Sequence, residues 1–430
     1  MSSVNTGDGQ NATHPPLGYG KVIAATVVLM ALQAWIGHTY SGQFLEIKSY
    51  SYLERLLPDT TLKRLPVVVL DISHLPGGTD PANLLYDTPR NELLELLKAL
   101  HKTQPIAIGL DIDFSPGENG IVEGNRDFEF FEQVVNLGTP VFFGVSRMNQ
   151  EGSAAWLGVP AYASMAANVT GVKSPVDKRV LLRVIKELPQ KTGRKNLPSM
   201  GEALASVYRR DFPNDAPTPP LPGLLLENDT ERGYLVNYSK VGQLARERSA
   251  ASTPAAILGT SADFAQKMVI LGDLSQYRMT TDYFVLPTGE EQNGVLFQAS
   301  TAYTFASEPL YEFVTPVRIL LDLALTLPFL VAVRVQNAMR AKATTNLDTR
   351  EKFVEFGALI VALILSFGVG GFFILKWRIL WLEAVLAGIA LILHGVFGDQ
   401  LHTLWNLSWV KTAREAVVHR VRTRFGRTTI

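Results

Sequence analysis

The sequence contains no cysteine, which excludes disulfides, cysteine zinc sites and thiol catalysis. It has no excess of either charge. Forty Lys and Arg face forty Asp and Glu, so a strongly basic nucleic-acid binder and an acidic tail protein are both excluded. Charge itself is sparse, at 19% of residues against about 25% in an ordinary globular chain, and the mean hydropathy is +0.12. The motifs G-x-S-x-G, H-E-x-x-H and the P-loop are missing, and no other catalytic constellation takes their place. What the chain has instead is segregation: four apolar runs with few charges, and a long stretch of ordinary folded-domain composition between the first and the second.

The first run, Val22–Ile36 with an extension to His38, lacks a small-residue cleavage site at Gln33–Trp35 and reads as an uncleaved signal anchor. Ile319–Val335, Phe353–Leu375 and Ile379–Phe397 crowd the C-terminal third. They span about 17 to 23 residues each, near the ~20 that cross a bilayer. Lys and Arg in short loops set orientation. Arg334, Arg340, Lys342, Arg350 and Lys352 lie between the second and third runs, and Lys411, Arg414, Arg420, Arg422, Arg424 and Arg427 follow the fourth. With four crossings, that loop and that tail share a side, the cytoplasm.

The expected organisation follows. Residues 1–21 form a cytoplasmic tail, 22–38 a first crossing, 39–314 an exported domain and 315–335 a second crossing. Then come a basic cytoplasmic loop at 336–352, crossings at 353–375 and 378–397, and a basic cytoplasmic tail at 398–430. This is a multi-pass protein of a cell inner membrane, with 39–314 in the periplasm and both termini inside.

The exported stretch alternates strand and helix signals. Leu65–Ile72, Ile106–Phe114, Pro140–Val145 and Met268–Leu271 are short β-branched runs suited to strands buried on both faces. Thr88–His101 spaces Leu93, Leu96, Leu97 and Leu100 as one helix face, and Asp127–Leu137 is also helical. Strand, helix and strand over 65–114 make a βαβ unit. The fold class is α/β: a mostly parallel sheet with flanking helices, joined to a membrane domain of four transmembrane helices, one N-terminal and three C-terminal.

Carboxylates recur at the strand ends: Asp71, Asp111, Asp113 and Asp273. Open parallel sheets bind ligands beyond the carboxyl ends of their strands, and alternation puts Asp111 and Asp113 on one face. Such a cluster suits a divalent cation, a cationic ligand or acid–base work. The plain alternative is that these side chains cap the following turns through backbone N–H groups. An exported hydrolase would need Asp111 and Asp113 as its acid and base, and Asp111→Asn with Asp113→Asn would test it.

Within the membrane runs, Asp322, Glu383 and His394 are the polar candidates. Arg318 and Arg378 precede the two acids by about a turn, so ion pairing explains them. No run of ionisable residues threads the bundle as transport would require. Gly368, Gly370 and Gly371 read as a close helix contact, and Trp377, Trp381, Trp405 and Trp409 as interfacial anchors. Arg414, Arg420, Arg422, Arg424 and Arg427 on an amphipathic tail suit anionic lipid or a partner helix, or serve only as a stop-transfer flank.

VVVLDIS (67–73), TPRNELLELLKALHKTQPIAIGLDIDFS (88–115) and PVFFGVS (140–146) resemble, in that order, the CHASE extracellular sensory domain of the second type. VTGVKSPVDKRVLLRV (169–184), GYLVNYS (233–239), KMVILGDL (267–274) and NGVLFQASTAYTF (293–305) continue the resemblance, although Gln298 stands where a His is usual. The resemblance implies three membrane helices directly after the domain and a receptor function; the missing motifs leave the expectation of no enzymatic activity of the chain's own and no cofactor. Family receptors carry cyclase or kinase domains inside the cell. About thirty residues follow the last run here, so the expectation is a separate cytoplasmic or membrane effector protein, with an effector domain outside this sequence as the alternative. A homodimer is the usual form of such receptors. The partners expected are therefore the lipid bilayer, that effector and a second copy, with no nucleic acid. A structural anchor binding envelope and cytoplasmic proteins, without a small ligand, is the competing reading.

Overall fold

The computed structural model describes residues 39–57, 65–75, 90–114, 124–146, 159–188, 196–226, 233–246, 253–274, 283–325, 327–341 and 347–381. The chain forms two compact units. Thr39–Thr315 together with Phe373–Leu380 make one, and Pro316–Phe372 belongs to the other.

The first unit begins with α1 (Tyr40–Glu54), whose start Thr39 caps by accepting the Gly42 N–H at 3.3 Å. In chain order there follow β1 (Val67–Asp71), α2 (Arg90–Lys102), β2 (Ala107–Asp113), α3 (Gly124–Val135), β3 (Val141–Val145) and β4 (Ala166–Asn168). Short strands β5 (Val172–Lys173), β6 (Leu181–Val184), β7 (Glu187–Leu188) and β8 (Leu197–Pro198) lead to α4 (Met200–Asp211). Then come β9 (Tyr234–Leu235), α5 (Pro254–Gly259), β10 (Met268–Gly272), β11 (Tyr283–Val285), β12 (Glu291–Asn293) and α6 (Gly294–Ala306).

The central sheet runs β1-β10-β2-β3-β4, with every pairing parallel. The four strands legible in the sequence are all present, but β1 and β2 are not neighbours. β10, more than 150 residues downstream, slots between them, so the first crossover skips a strand. β10 is buried along its whole length, as a central strand covered on both faces must be.

On one face the leucines of α2 and Phe130, Phe131 and Val134 of α3 pack on alternate residues of β1, β2, β3 and β10. On the other lie α4 and α6, brought close by glycines. A Cβ at Gly109 would meet Met200 Sδ at 2.9 Å, and one at Gly201 would stand 2.7 Å from the Thr301 carbonyl carbon. Ser199 caps α4 by accepting the Glu202 N–H at 3.2 Å, the start of a capping box. Smaller sheets β5-β6-β9, β7-β8 and β11-β12 complete the unit.

The second unit contains α7 (Thr315–Ala324, whose first residue closes the preceding unit), α8 (Leu327–Ala341) and the 31-residue α9 (Leu347–Trp377), of which Phe373–Trp377 belongs to the first unit. Two stretches, Thr315–Met339 and Arg350–Trp377, are long and apolar enough to cross a membrane. The second expected crossing falls within Thr315–Met339, where α7 and α8 are described on either side of residue 326. The first expected crossing and most of the fourth lie outside the described residues. Arg378–Trp381, where the fourth was expected to begin, is not helical. Trp381 is no interfacial anchor: it is buried against Leu321, Leu325 and Val369. Among the described residues, nothing lies within 4 Å of a Cβ placed at Gly368 or Gly371.

Candidate functional site

The carboxyl edge of the five-stranded sheet is where the sequence placed a site. Leu110, Ile112 and Phe114 all face the α2–α3 core, so Asp111 and Asp113 share the opposite face. Asp71 is in register with Gly272, and a Cβ at Gly272 would stand 3.3 Å from that of Asp111. Asp71 and Asp111 therefore flank one glycine.

Their roles differ. Asp71 Oδ1 accepts the N–H of Ser73 at 3.0 Å and of Leu274 at 3.1 Å, tying the turn after β1 to the turn after β10. Asp113 accepts the Ser146 N–H at 3.3 Å and its hydroxyl at 2.5 Å, tying β2 to β3. Asp111 is half-buried, with Oδ2 closed off from solvent. The Asp273 carbonyl accepts from Asn293 Nδ2 at 3.3 Å. Among the described residues, no group of three or more His, Asp or Glu is placed to hold a metal ion. Segments 76–89, 115–123, 147–158 and 275–282, which continue from this edge, lie outside the described residues.

Sequence reasoning missed Arg90 at the same edge. Its guanidinium lies 4.6 Å from the centre of the Phe114 ring and 5.8 Å from that of Phe130, within cation–π range. It pins the start of α2 over the end of β2. Gln298 is structural: buried, it donates to the Val169 carbonyl at 2.6 Å and fastens α6 to the chain after β4.

A second cluster gathers where the unit's first helix meets its last segment. Arg183 of β6 is buried, forms a two-pronged pair with Glu312, and reaches Glu46 of α1 at 2.9 Å. Burial works against the Arg183 charge, but Glu312 and Glu46 outweigh it and raise its pKa. A lone Arg in the apolar strand LLRV was the available signal, since an arginine there needs a buried acid.

Beside it, Tyr50 donates to the Val236 carbonyl and Tyr238 donates to the Leu181 carbonyl at 2.5 Å. Burial, and next the Glu54 carboxylate, push both phenols well up. Glu54 lies against them, and burial raises its carboxyl to about 7 despite the Tyr238 N–H, the Tyr50 hydroxyl and Arg55.

Of the membrane candidates, Asp322 is half-buried on α7, one turn after the buried Arg318. Arg378 pairs with the buried Glu308 at 3.0 Å; Glu383, with which it was expected to pair, lies outside the described residues. Glu383, His394, Arg414, Arg420, Arg422, Arg424 and Arg427 lie outside the described residues.

A family model described as CHASE2 domain matches residues 23–332. No curated protein and no solved structure matches the chain.

Proposed function

The chain belongs to the CHASE2 sensory-domain family, and on that premise we propose that it is a bacterial inner-membrane receptor. Residues 39–314 form the periplasmic sensing part, for a small molecule, an ion or an envelope component. The signal passes inward to a separate effector, with the basic tail at 398–430 as its docking site or its contact with anionic lipid. The chain performs no catalysis of its own in this reading, binds no nucleic acid and works as a homodimer in the bilayer.

The observation that carries the reading is where the chain goes after 315. Two apolar stretches long enough to cross a membrane follow the domain, and residues 373–380 then rejoin it. An out-and-back path of this kind supports a domain on one side of the membrane and the basic loop 336–352 on the other, the side that positive residues favour. Sensing requires the ligand to prefer one of two states of the domain. The edge bearing Asp71, Asp111, Asp113 and Asp273 is the proposed place of contact, because ligands of open parallel sheets bind beyond the carboxyl ends of the strands; Asp71 and Asp113 are also occupied in holding that edge together.

That occupation is also the one observation favouring an anchor without a ligand, since two of the four carboxylates work as caps. Purification of the full chain from native membranes, with mass spectrometry of what remains bound, separates the two. A stoichiometric signalling enzyme is expected. A stoichiometric envelope or scaffold protein in its place would replace the receptor with the anchor.

A further inference from the structure

Residues 308–313 reach four parts of the exported unit. Glu308 pairs with Arg378 at 3.0 Å. Tyr311 bridges Ile379: its N–H donates to the Arg378 carbonyl at 3.0 Å, and its carbonyl accepts the Leu380 N–H at 2.8 Å. Glu312 holds Arg183, and through it Glu46 of α1. Phe313 bridges Leu226 and meets the Phe373 ring edge-on at 4.9 Å.

From the other side, Ile374, Ile379 and Leu380 are fully or almost fully buried. Arg378 adopts a φ of 55°, a left-handed conformation uncommon for a residue with a side chain. It closes α9 there: the Arg378 N–H donates to the Ile374 carbonyl at 3.0 Å and the Ile379 N–H to the Phe373 carbonyl at 3.2 Å.

We propose that Phe373–Leu380 is a strap by which the exported domain grips the end of α9, with 308–313 as the hub. A change of state in the domain then reaches two membrane helices together. One follows at Thr315 through the backbone, and the other ends at Trp377 and meets the domain through the strap. Arg183 ties the same hub to α1, so the segment that follows residue 38 joins the movement. The inference depends on the sensory reading for its purpose alone; the existence of the strap is tested without it.

The absence of native cysteine makes the test clean. Tyr311→Cys with Ile379→Cys is introduced into the full chain in native membranes, with a protease site at 342–346. The backbones are roughly 5 Å apart across a bridge, a separation that accepts a disulfide. After mild oxidation and cleavage, the two fragments should stay together on a non-reducing gel; fragments that separate overturn the strap.

Hydrogen exchange on the intact chain provides the second measurement. Arg378→Gln should speed exchange at both 308–313 and 373–380 by about tenfold, the scale of one broken and partly exposed ion pair. Glu308→Arg with Arg378→Glu should restore protection. Faster exchange confined to 373–380, with 308–313 unmoved, would refute the hub. A strap lost while the domain still binds its ligand would leave the sensory reading intact.

Discussion

Glu54 sits at the end of α1 beside two phenols whose hydrogens already serve backbone carbonyls. Burial holds its carboxyl protonated up to about pH 7, against 4.5 ordinarily. A raised carboxyl pKa means that the folded state binds the proton more tightly than the unfolded chain does. Its contribution is complete below the unfolded value and is lost as pH rises through the folded one. Between about pH 5 and pH 8 the unit should therefore lose up to roughly 3 kcal/mol, and Glu54→Gln should flatten that slope. Thermal unfolding of the full chain across this pH range is the measurement; an unchanged slope in the variant would exonerate Glu54. Arg183→Gln should cost more, about 3–5 kcal/mol, because it leaves Glu312 buried without its cation. Denaturant midpoints would show it. None of these three residues was singled out from the sequence. Glu46, Arg183 and Glu312 are far apart in the chain, and a buried charge is recognised only once its partner is known.

Helix α4 crosses α6 at Gly201 with no room for a side chain. Gly201→Ala should force the two helices apart and cost about 1–3 kcal/mol, while Gly259→Ala, in open space, should stay within about 0.5 kcal/mol. Equal melting temperatures for the two variants would contradict that packing. The strands and helices around these glycines were mostly legible. VVVL, IAIGL, VFF and MVIL are apolar and β-branched over strand lengths, and the leucines of α2 recur at helical spacing. Their order in the sheet was not. Nothing in MVIL says that it inserts between β1 and β2, since parallel pairing is decided by which strands share covering helices.

The proposed topology for the whole molecule makes a direct prediction. Leu224 is 90% exposed, so Leu224→Cys should react with a membrane-impermeant maleimide on intact spheroplasts. Thr344→Cys, between α8 and α9, should react only after permeabilisation. The reverse pattern would invert the orientation. In the proposed topology, the return of 373–380 to the unit that begins at Thr39 calls for an even number of crossings between Thr315 and Phe373, where two candidate spans lie.

Composition and periodicity alone determined the α/β class, the four main strands and the apolar, span-length character of 315–377, and the order of quoted motifs carried the family resemblance, because hydrophobic pattern and local order are properties of neighbouring residues. The tertiary structure decided the rest. It spent Asp71 and Asp113 on turns, inserted β10 at the centre of the sheet, gave Arg378 to Glu308, and brought Glu46, Arg183 and Glu312 into one buried group. Each of these depends on which distant segments exclude water from one another, and no local pattern carries that information.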